Sequence, residues 1–143
     1  MQHLILTIVL VFSVIFMSNA QEVTENNSEN TITVTVPNVL NNNGKINFAL
    51  FTQENFRKQP LFAKSSSIEN GKSIVTFEKV PTGTYAIICF HDENNNDQMD
   101  FQENGMPKES YGTSNNPMNF GPPQFDSSKF QVADKDISLE IKF

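Results

Sequence analysis

Alternation of apolar and polar residues with a period of two is the feature that most constrains this chain. It runs through residues 32–36 (ITVTV) and, most regularly, through residues 137–143 (ISLEIKF). Successive side chains of a strand point to opposite faces, so this pattern is typical of half-buried strands. Four other short segments are rich in β-branched and aromatic residues and are bounded by turn residues: 44–52, 73–80, 84–91 and 129–133. We therefore predict six strands and allow for a seventh.

The segments between these strands favour tight turns. The Asn-Gly pairs at 43–44 and 70–71 tolerate positive φ, and residues 80–83 (VPTG) suit a type I turn. No stretch has sustained helical periodicity, although residues 53–59 could form one helical turn. With short strands and no room for crossover helices, we predict an all-β fold, an antiparallel β-sandwich of about seven strands in two sheets.

The first twenty residues have the pattern of an export signal. An almost unbroken apolar run covers residues 4–17, and small residues follow at Ser18 and Ala20, the positions that a signal peptidase reads. No Lys or Arg precedes the run, which leaves an uncleaved membrane anchor as the alternative, but the run is shorter than the roughly 20 residues that span a bilayer. We expect a signal peptide over 1–20, a flexible leader over 21–30 and a domain over 31–143, in the periplasm or outside the cell.

Composition excludes several classes of site. After cleavage the chain would hold one cysteine, Cys89, and one histidine, His91. A disulfide needs two thiols and a structural zinc site needs several Cys or His ligands, so neither can form within one chain. The net charge of −6 argues against nucleic acid as a partner, because phosphate contacts require clustered Lys and Arg. The same charge suits a bound cation.

The segment after the predicted strand at 84–91 has the spacing of a calcium loop. With Asp92 as position one, side-chain oxygens stand at positions three, five, nine and twelve, as in an EF-hand, and residue seven would contribute its backbone carbonyl. Calcium takes about six to eight hard oxygen ligands. The predicted ligands are Asp92, Asn94, Asn96, Gln98, Asp100 and Glu103. We therefore expect calcium as the cofactor.

Two features of this segment depart from the EF-hand pattern. Asp97 occupies position six, where glycine is usual, although Asp tolerates the left-handed region better than most residues. A strand leads into the loop instead of a helix, so the likeness is in the ligands only. Met99, at position eight, is expected to anchor the loop to the core. The alternative is an ordinary solvated turn, since Asn and Asp favour turns.

Residues 105–128 form a predicted long loop rich in proline, glycine and aromatic residues. Loops above about 15 residues within a compact domain are usually functional or disordered, and apolar residues such as Met106, Met118 and Phe120 argue against disorder. A ligand surface is one interpretation, and a cover over a sheet edge is the other, which we favour. The residues concerned are Lys108, Glu109, Tyr111, Asn115 and Asn116.

Three short motifs between residues 77 and 125 form a recognisable pattern. Gly-x-Tyr-Ala is followed by Asp-x-Asn-x-Asn and then by Gly-x-Pro-x-Glu-x-Tyr-Gly-x-Ser-Asn-Asn. The matching residues are Gly83, Tyr85, Ala86, Asp92, Asn94, Asn96, Gly105, Pro107, Glu109, Tyr111, Gly112, Ser114, Asn115 and Asn116. In these motifs the chain resembles DUF2141, a bacterial family of secreted domains of unknown function. The resemblance implies an exported protein and no particular activity.

A wider resemblance concerns the fold. A strand that ends in Asp-x-Asn-x-Asn is similar to the calcium-stabilised, immunoglobulin-like repeats of bacterial surface proteins and to transthyretin-like sandwiches. By analogy it implies an immunoglobulin-like or prealbumin-like sandwich. The transthyretin-like fold also hosts a purine-pathway hydrolase, but that enzyme relies on several His and Arg residues, and this chain would offer one of each after cleavage.

Other enzymatic interpretations have little support in the sequence. Cys89 and His91 lie two residues apart on one predicted strand, and the resulting separation of about 6–7 Å is too long for a nucleophile and its base. We expect Cys89 to be a small core residue and His91 to orient the calcium loop or to be exposed. A hydrolase that uses carboxylates such as Glu103 and Glu109 is a further alternative.

The sequence therefore predicts a non-enzymatic binding or structural module stabilised by calcium. Its partner would be an unidentified ligand or protein outside the cytoplasm. The alternative role is recognition of a carbohydrate or peptide through the loop at 105–128.

Overall fold

Strands account for most of the regular structure in the computed structural model, which describes residues 29–118 and 121–143. The predicted signal peptide and residues 21–28 of the predicted leader lie outside the described residues. Within the described parts, the strands are β1 (Asn30–Val36), β2 (Lys45–Phe51), β3 (Phe62–Ser66), β4 (Ser73–Val80), β5 (Gly83–Asp92), β6 (Tyr111–Thr113), β7 (Phe130–Val132) and β8 (Ile137–Glu140). A short helix, α1 (Phe125–Ser128), precedes β7.

The strands form two sheets, as the sequence predicts. One sheet has the order β4-β1-β8, and the other has the order β3-β2-β5-β6. Strand β7 pairs with residues 83–85 of β5, whereas β6 pairs with residues 88–90 of the same strand. The predicted all-β sandwich is therefore confirmed, with β5 at the centre of the larger sheet.

Alternate residues of the facing strands fill the space between the sheets. Ile32, Val34 and Val36 of β1 are fully buried, as are Ile46 and Leu50 of β2. Burying an aliphatic side chain of this size stabilises the fold by about 1.5–3 kcal/mol. The period of two in the sequence therefore identifies the core-facing side of β1 correctly.

Side chains join the two sheets at both edges. At one edge the Lys64 ammonium donates to the carbonyl of Thr76 at 2.6 Å, and the Ser66 hydroxyl donates to the carbonyl of Ile74 at 2.7 Å. At the other edge the Asn116 amide donates to the carbonyl of Glu140 at 2.8 Å. Unpaired strand edges invite pairing with other chains, and these contacts cover part of each edge.

The turn between β4 and β5 crosses from one sheet to the other. These two strands are consecutive, but β4 pairs with β1 and β5 pairs with β2. The Tyr85 hydroxyl donates to the carbonyl of Pro81 at 3.0 Å, four residues upstream. Immunoglobulin-like sandwiches use a tyrosine in the same way at a corner between strands. The VPTG turn is thus a corner of the sandwich and does not make a hairpin of antiparallel neighbours.

Some details differ from the prediction. Strands β3 and β6 were not predicted, because β3 (FAKSS) lacks apolar alternation and β6 has only three residues. Strand β8 pairs with β1 in parallel, whereas the other strand pairs among the described residues are antiparallel. The predicted loop at 105–128 contains β6 and the whole of α1. None of the helices in the described residues is long and apolar enough to cross a membrane.

Candidate functional site

The loop that follows β5 is built around the carboxylate of Asp92. This residue ends β5 and its side chain is fully buried. One carboxylate oxygen accepts the backbone N–H of Asn96 at 3.0 Å, and the other accepts that of Asp97 at 2.9 Å. The second oxygen also accepts the side-chain amide of Asn47 at 3.2 Å, from the neighbouring strand β2. Asp92 therefore fixes the start of the loop against the sheet.

The tight turn of the loop needs two residues in the left-handed region. Asn95 has φ of 60° and Asp97 has φ of 62°. Asp97 is the residue at position six, and it adopts the positive φ for which glycine is usual. Its carboxylate lies 2.6 Å from the Lys45 ammonium. This contact raises the pKa of Lys45, while desolvation lowers it by less. The ion pair holds Asp97 beside the sheet.

Four of the six predicted ligands meet in this loop. The side-chain amide of Asn94 donates to the Asp100 carboxylate at 2.7 Å, and that of Asn96 donates to the same carboxylate at 3.3 Å. Their amide oxygens accept backbone N–H groups of Asn96 and Gln98. The network therefore joins Asp92, Asn94, Asn96 and Asp100.

The other two predicted ligands occupy different surroundings. Gln98 takes part through its backbone N–H, and its side chain is exposed. Glu103 lies on an exposed turn of a small hairpin in which Phe101 bridges Pro107. Within residues 29–118 and 121–143, no three His, Cys, Asp or Glu side chains are grouped so that they could hold a metal ion. A cation in this loop would therefore depend on amide oxygens as well as carboxylates.

Glu109 is the residue of this site whose role the sequence did not indicate. Its side chain is 8% exposed, and its two oxygens accept the backbone N–H groups of Glu93 and Asp100, both at 3.1 Å. The hairpin from Asp100 to Lys108 brings it back to the loop, since Lys108 N–H donates to the carbonyl of Asp100. The sequence spacing placed Glu103 at the end of the loop, and only the hairpin shows that Glu109 closes it.

Beside this loop, an apolar groove lies on the outer face of the larger sheet. Core residues and outward-facing residues alternate along β5, and the outward set includes Ile88 and Phe90. Together with Phe51 of β2 they form the floor of a cavity of about 600 Å³. Met99 and Phe101, on either side of Asp100, line the same cavity. Met99 thus faces the outer groove. The sequence-based expectation that Met99 anchors the loop to the core between the sheets is wrong.

A second wall of the groove is formed by residues 53–60. Phe56 of this segment packs edge-on against Phe51, with ring centroids 5.7 Å apart, and against Phe125 of α1, at 5.4 Å. Arg57 and Lys58 follow and line the cavity. The aromatic contacts attach this segment to the sheet, so the groove has a wall on each side and a floor of strand residues.

Comparison with known proteins identifies the family. A family model described as "Uncharacterized protein conserved in bacteria (DUF2141)" matches residues 34–140. The chain belongs to this family. The match covers both sheets, the loop after β5 and the groove. No curated protein and no solved structure matches the chain significantly.

In this member of DUF2141, most of the second predicted site holds the fold together. Asn115 donates to the carbonyl of Lys129 at 2.7 Å, and Asn116 bonds the C-terminal strand. Tyr111 lines the groove and donates its hydroxyl to the carbonyl of Gly121 at 3.2 Å. Lys108 is exposed, and Glu109 is buried in the loop network. The five residues therefore have different surroundings, and both interpretations of this loop, a ligand surface and a cover over a sheet edge, stay predictions.

Cys89 and His91 of this DUF2141 chain are both buried. The Cys89 thiol lies 3.8 Å from the carbonyl of Gly112, and burial raises the pKa of that thiol, so it is protonated at neutral pH. His91 contacts the carbonyl of Asn43 at 2.7 Å through Nε2. Its Nδ1 lies 3.7 Å from the carboxylate of Glu93. Cys89 is therefore a core residue, as expected, and His91 links the β2 entry turn to the loop after β5.

Proposed function

We propose that this chain is an exported, non-enzymatic β-sandwich module in which the loop at 92–100 binds a calcium ion. The observation that carries the proposal is the meeting of the Asn94 and Asn96 side chains at the Asp100 carboxylate. In the same loop Asp92 is fully buried at the end of β5 and accepts the backbone N–H of Asn96. The resemblance of residues 1–20 to a signal peptide supports export.

The donor set of the loop suits a hard cation. Two carboxylates and two side-chain amides lie within one short segment, and calcium prefers such oxygen ligands. Rotation of the Asn94 and Asn96 amides would turn their oxygens toward Asp100 in place of their nitrogens, at the cost of the backbone N–H groups of Asn96 and Gln98 that these oxygens now accept. The bound ion would then replace these two amide contacts as the link between the start and the end of the loop.

Calcium at this position would also stabilise one wall of the groove. Asp100 lies between Met99 and Phe101, both of which line the cavity. Fixing the carboxylate of Asp100 therefore restricts both neighbouring side chains. In this proposal the ion has a structural role, and the groove carries the interaction with a partner.

Thermal unfolding of residues 21–143 tests the proposal. We expect the midpoint to rise in about 1 mM calcium relative to EDTA, because modules outside the cell bind calcium with dissociation constants of about 0.1 to 1 mM. A concentration ten times the dissociation constant adds roughly 1.4 kcal/mol to the free energy of unfolding. Magnesium at the same concentration is the control and should give a smaller shift, since it tolerates only near-ideal octahedral geometry.

Two single variants test whether the calcium-dependent rise in the unfolding midpoint comes from the loop. Asp100→Asn removes a carboxylate that the ion would contact and should abolish the calcium-dependent rise. Glu93→Gln changes an exposed side chain at position two and should retain it. An equal rise in the two variants, or no rise in the unmodified chain, would show that the loop is an ordinary turn.

A separate measurement tests export. Expression of the full chain in a bacterial host, followed by fractionation and mass measurement, should give a periplasmic or secreted product that begins at Gln21. A product that retains residues 1–20 in the membrane fraction would support the uncleaved anchor instead.

A further inference from the structure

We propose that the outer-face groove binds a small anionic amphiphile, a molecule with an apolar body and a single carboxylate. This inference deepens the binding role proposed above and names the class of ligand. It concerns the groove floor of Phe51, Ile88 and Phe90 and the basic pair Arg57 and Lys58.

The groove has the size and the lining of a ligand site. Its volume of about 600 Å³ lies within the range of about 300–1,000 Å³ that is usual for small-molecule sites. Floor and walls are mostly aromatic, aliphatic, methionine and proline side chains. An apolar body would therefore replace water over most of the lining, which is the main source of affinity in such sites.

Exposed apolar side chains continue from the groove onto its rim. Phe101 is 56% exposed and Met106 is 59% exposed, and both line the cavity. Single exposed apolar residues are common on protein surfaces, but contiguous ones beside a cavity mark interaction sites. Because both residues are substantially exposed, replacing them should change ligand binding with little effect on the core.

The charge of the lining selects the kind of ligand. The chain has a net charge of −6 and a single arginine. Among the described residues that line this cavity, the charged side chains are Arg57 and Lys58, both basic. A second cavity of about 560 Å³ continues along the same face and shares Phe51, Lys58, Ile88 and Phe90 with the first. Its other charged lining residues are Lys64 and Asp97, one of each sign. Within an acidic protein, an apolar groove whose charged lining is mainly basic is complementary to an apolar anion.

The basic pair lies on the segment that Phe56 attaches to the sheet, and Lys58 lines both cavities. Arg57 has φ of 58°, a conformation that costs a non-glycine residue on the order of 1 kcal/mol. Arg57 and Lys58 are both exposed. Among the described residues, the hydrogen bond of the Lys58 ammonium is to the carbonyl of Glu54, in its own segment, at 3.4 Å. Both charges are therefore available to a carboxylate at the mouth of the groove.

A titration with octanoate, followed by methyl NMR of the chain, tests the inference. Octyltrimethylammonium has the same alkyl chain and the opposite charge, so it is the matched control. We expect octanoate to shift the methyl signals of Ile88, Met99 and Met106 in a saturable, one-to-one manner, and to bind more tightly than the cation. The titration is performed in EDTA and repeated in about 1 mM calcium. Octanoate binding is therefore measured independently of calcium binding, and either proposal can fail without the other.

Variants locate the charge and the apolar contact. Arg57→Gln with Lys58→Gln should weaken octanoate binding by roughly three- to tenfold, as expected for two exposed charge contacts, and should tighten binding of the cation, because two repelling charges are removed. Lys72→Gln with Lys135→Gln removes two exposed charges outside the groove and should change nothing. Met106→Ser should weaken both alkyl probes by about threefold or more.

Four results would overturn the inference. Three come from the titrations: no saturable shift in the groove methyls, equal binding of the two alkyl ions, and equal effects of the two double variants. A concentration-dependent dimer that broadens the same methyl signals without any added ligand would also overturn it, because the groove would then be covered by a second copy of the chain.

Discussion

The carboxylate of Glu109 accepts the backbone N–H of Asp100 at 3.1 Å, across nine residues of chain. Its other oxygen accepts the N–H of Glu93, also at 3.1 Å. One buried side chain therefore joins the beginning and the end of the loop after β5. A carboxylate that accepts two backbone N–H groups can form charge-assisted hydrogen bonds, which are stronger than neutral ones.

We expect Glu109→Gln to destabilise the fold by about 1–3 kcal/mol, because the amide places an N–H group against one of two buried backbone donors. Glu103→Gln is the matched control, since this glutamate lies on the exposed turn of the hairpin. Urea denaturation of the two variants measures the difference in their free energies of unfolding. The m-values, the slopes of that free energy against urea concentration, should be equal. Similar free energies of unfolding in both variants would mean that Glu109 does not hold the loop.

Gly44 allows the entry to β2 to pass close to Asp92. It has φ of 68°, and a Cβ atom at this position would overlap the backbone carbonyl oxygen of Asp92. We expect Gly44→Ala to destabilise the chain by about 2 kcal/mol or more, from strain at positive φ together with overlap with the backbone. The loop after β5 should also be displaced, which hydrogen exchange of its amides would report.

Gly105→Ala separates conformational strain from overlap. Gly105 has φ of 81°, and a Cβ atom there would meet nothing within 4 Å. Its replacement should therefore cost only the conformational part, about 1–2 kcal/mol. If the two alanine variants unfold at the same urea concentration, the close approach of Gly44 to Asp92 contributes nothing to stability.

Burial of Cys89 makes the stability of the chain fall at alkaline pH. Burial raises the pKa of the Cys89 thiol in the folded state, while a thiol in the unfolded chain ionises near pH 8.5. Above that pH the unfolded state binds fewer protons than the folded state, so the free energy of unfolding falls, by at most about 1.4 kcal/mol per pH unit. Urea denaturation between about pH 7 and pH 9.5 measures the slope, which Cys89→Ala should reduce.

Tyr85 and Lys45 also have raised pKa values, Tyr85 through burial and Lys45 through its contact with Asp97. Their effects begin at higher pH, because a phenol in the unfolded chain ionises near pH 10 and a lysine near pH 10.4. Below that pH the slope should belong to Cys89. A slope unchanged by Cys89→Ala, or rapid reaction of the native thiol with a disulfide reagent, would contradict the burial of this group.

Asn116 attaches the last residues of the chain to the larger sheet. Its amide donates to the carbonyl of Glu140 at 2.8 Å, and its oxygen accepts the N–H of Lys142 at 2.7 Å. We expect Asn116→Ala to accelerate hydrogen exchange at the Lys142 amide and to cost about 1 kcal/mol, since both hydrogen bonds are exposed to solvent. Asn116→Asp keeps the acceptor for Lys142, so protection of that amide should be retained, although the contact with Glu140 is lost. Equal exchange in the two variants would exclude this role.

Local pattern in the sequence was sufficient for the strands whose two faces differ. Strand β1 shows this most clearly, because every second residue is apolar and those residues are buried. Strands β3 and β6 were not predicted, since an edge strand such as FAKSS has no continuous apolar face and three residues carry no period. The parallel pairing of β8 with β1 joins residues about one hundred positions apart, and no short segment contains that information.

Part of the candidate site could likewise be predicted from the sequence, and part could not. The spacing of Asp92, Asn94, Asn96 and Asp100 predicted a loop in which their side chains meet, because a tight turn brings alternate residues to one centre. Glu109 could not be assigned to it, since its place depends on the hairpin between Asp100 and Lys108. Nor could the groove be predicted, because its floor comes from β2 and β5 and its walls come from loops far apart in the chain.

The sequence by itself determined six of the eight strand-forming segments, the two-sheet fold class and the tight loop after β5, because each depends on neighbouring residues and on which side chains avoid water. Only the tertiary structure decided that Glu109 closes that loop, that Asn116 holds the C-terminal strand and that Arg57 and Lys58 line an apolar groove. These features require residues from distant segments to meet, and their meeting is decided by the packing of the two sheets.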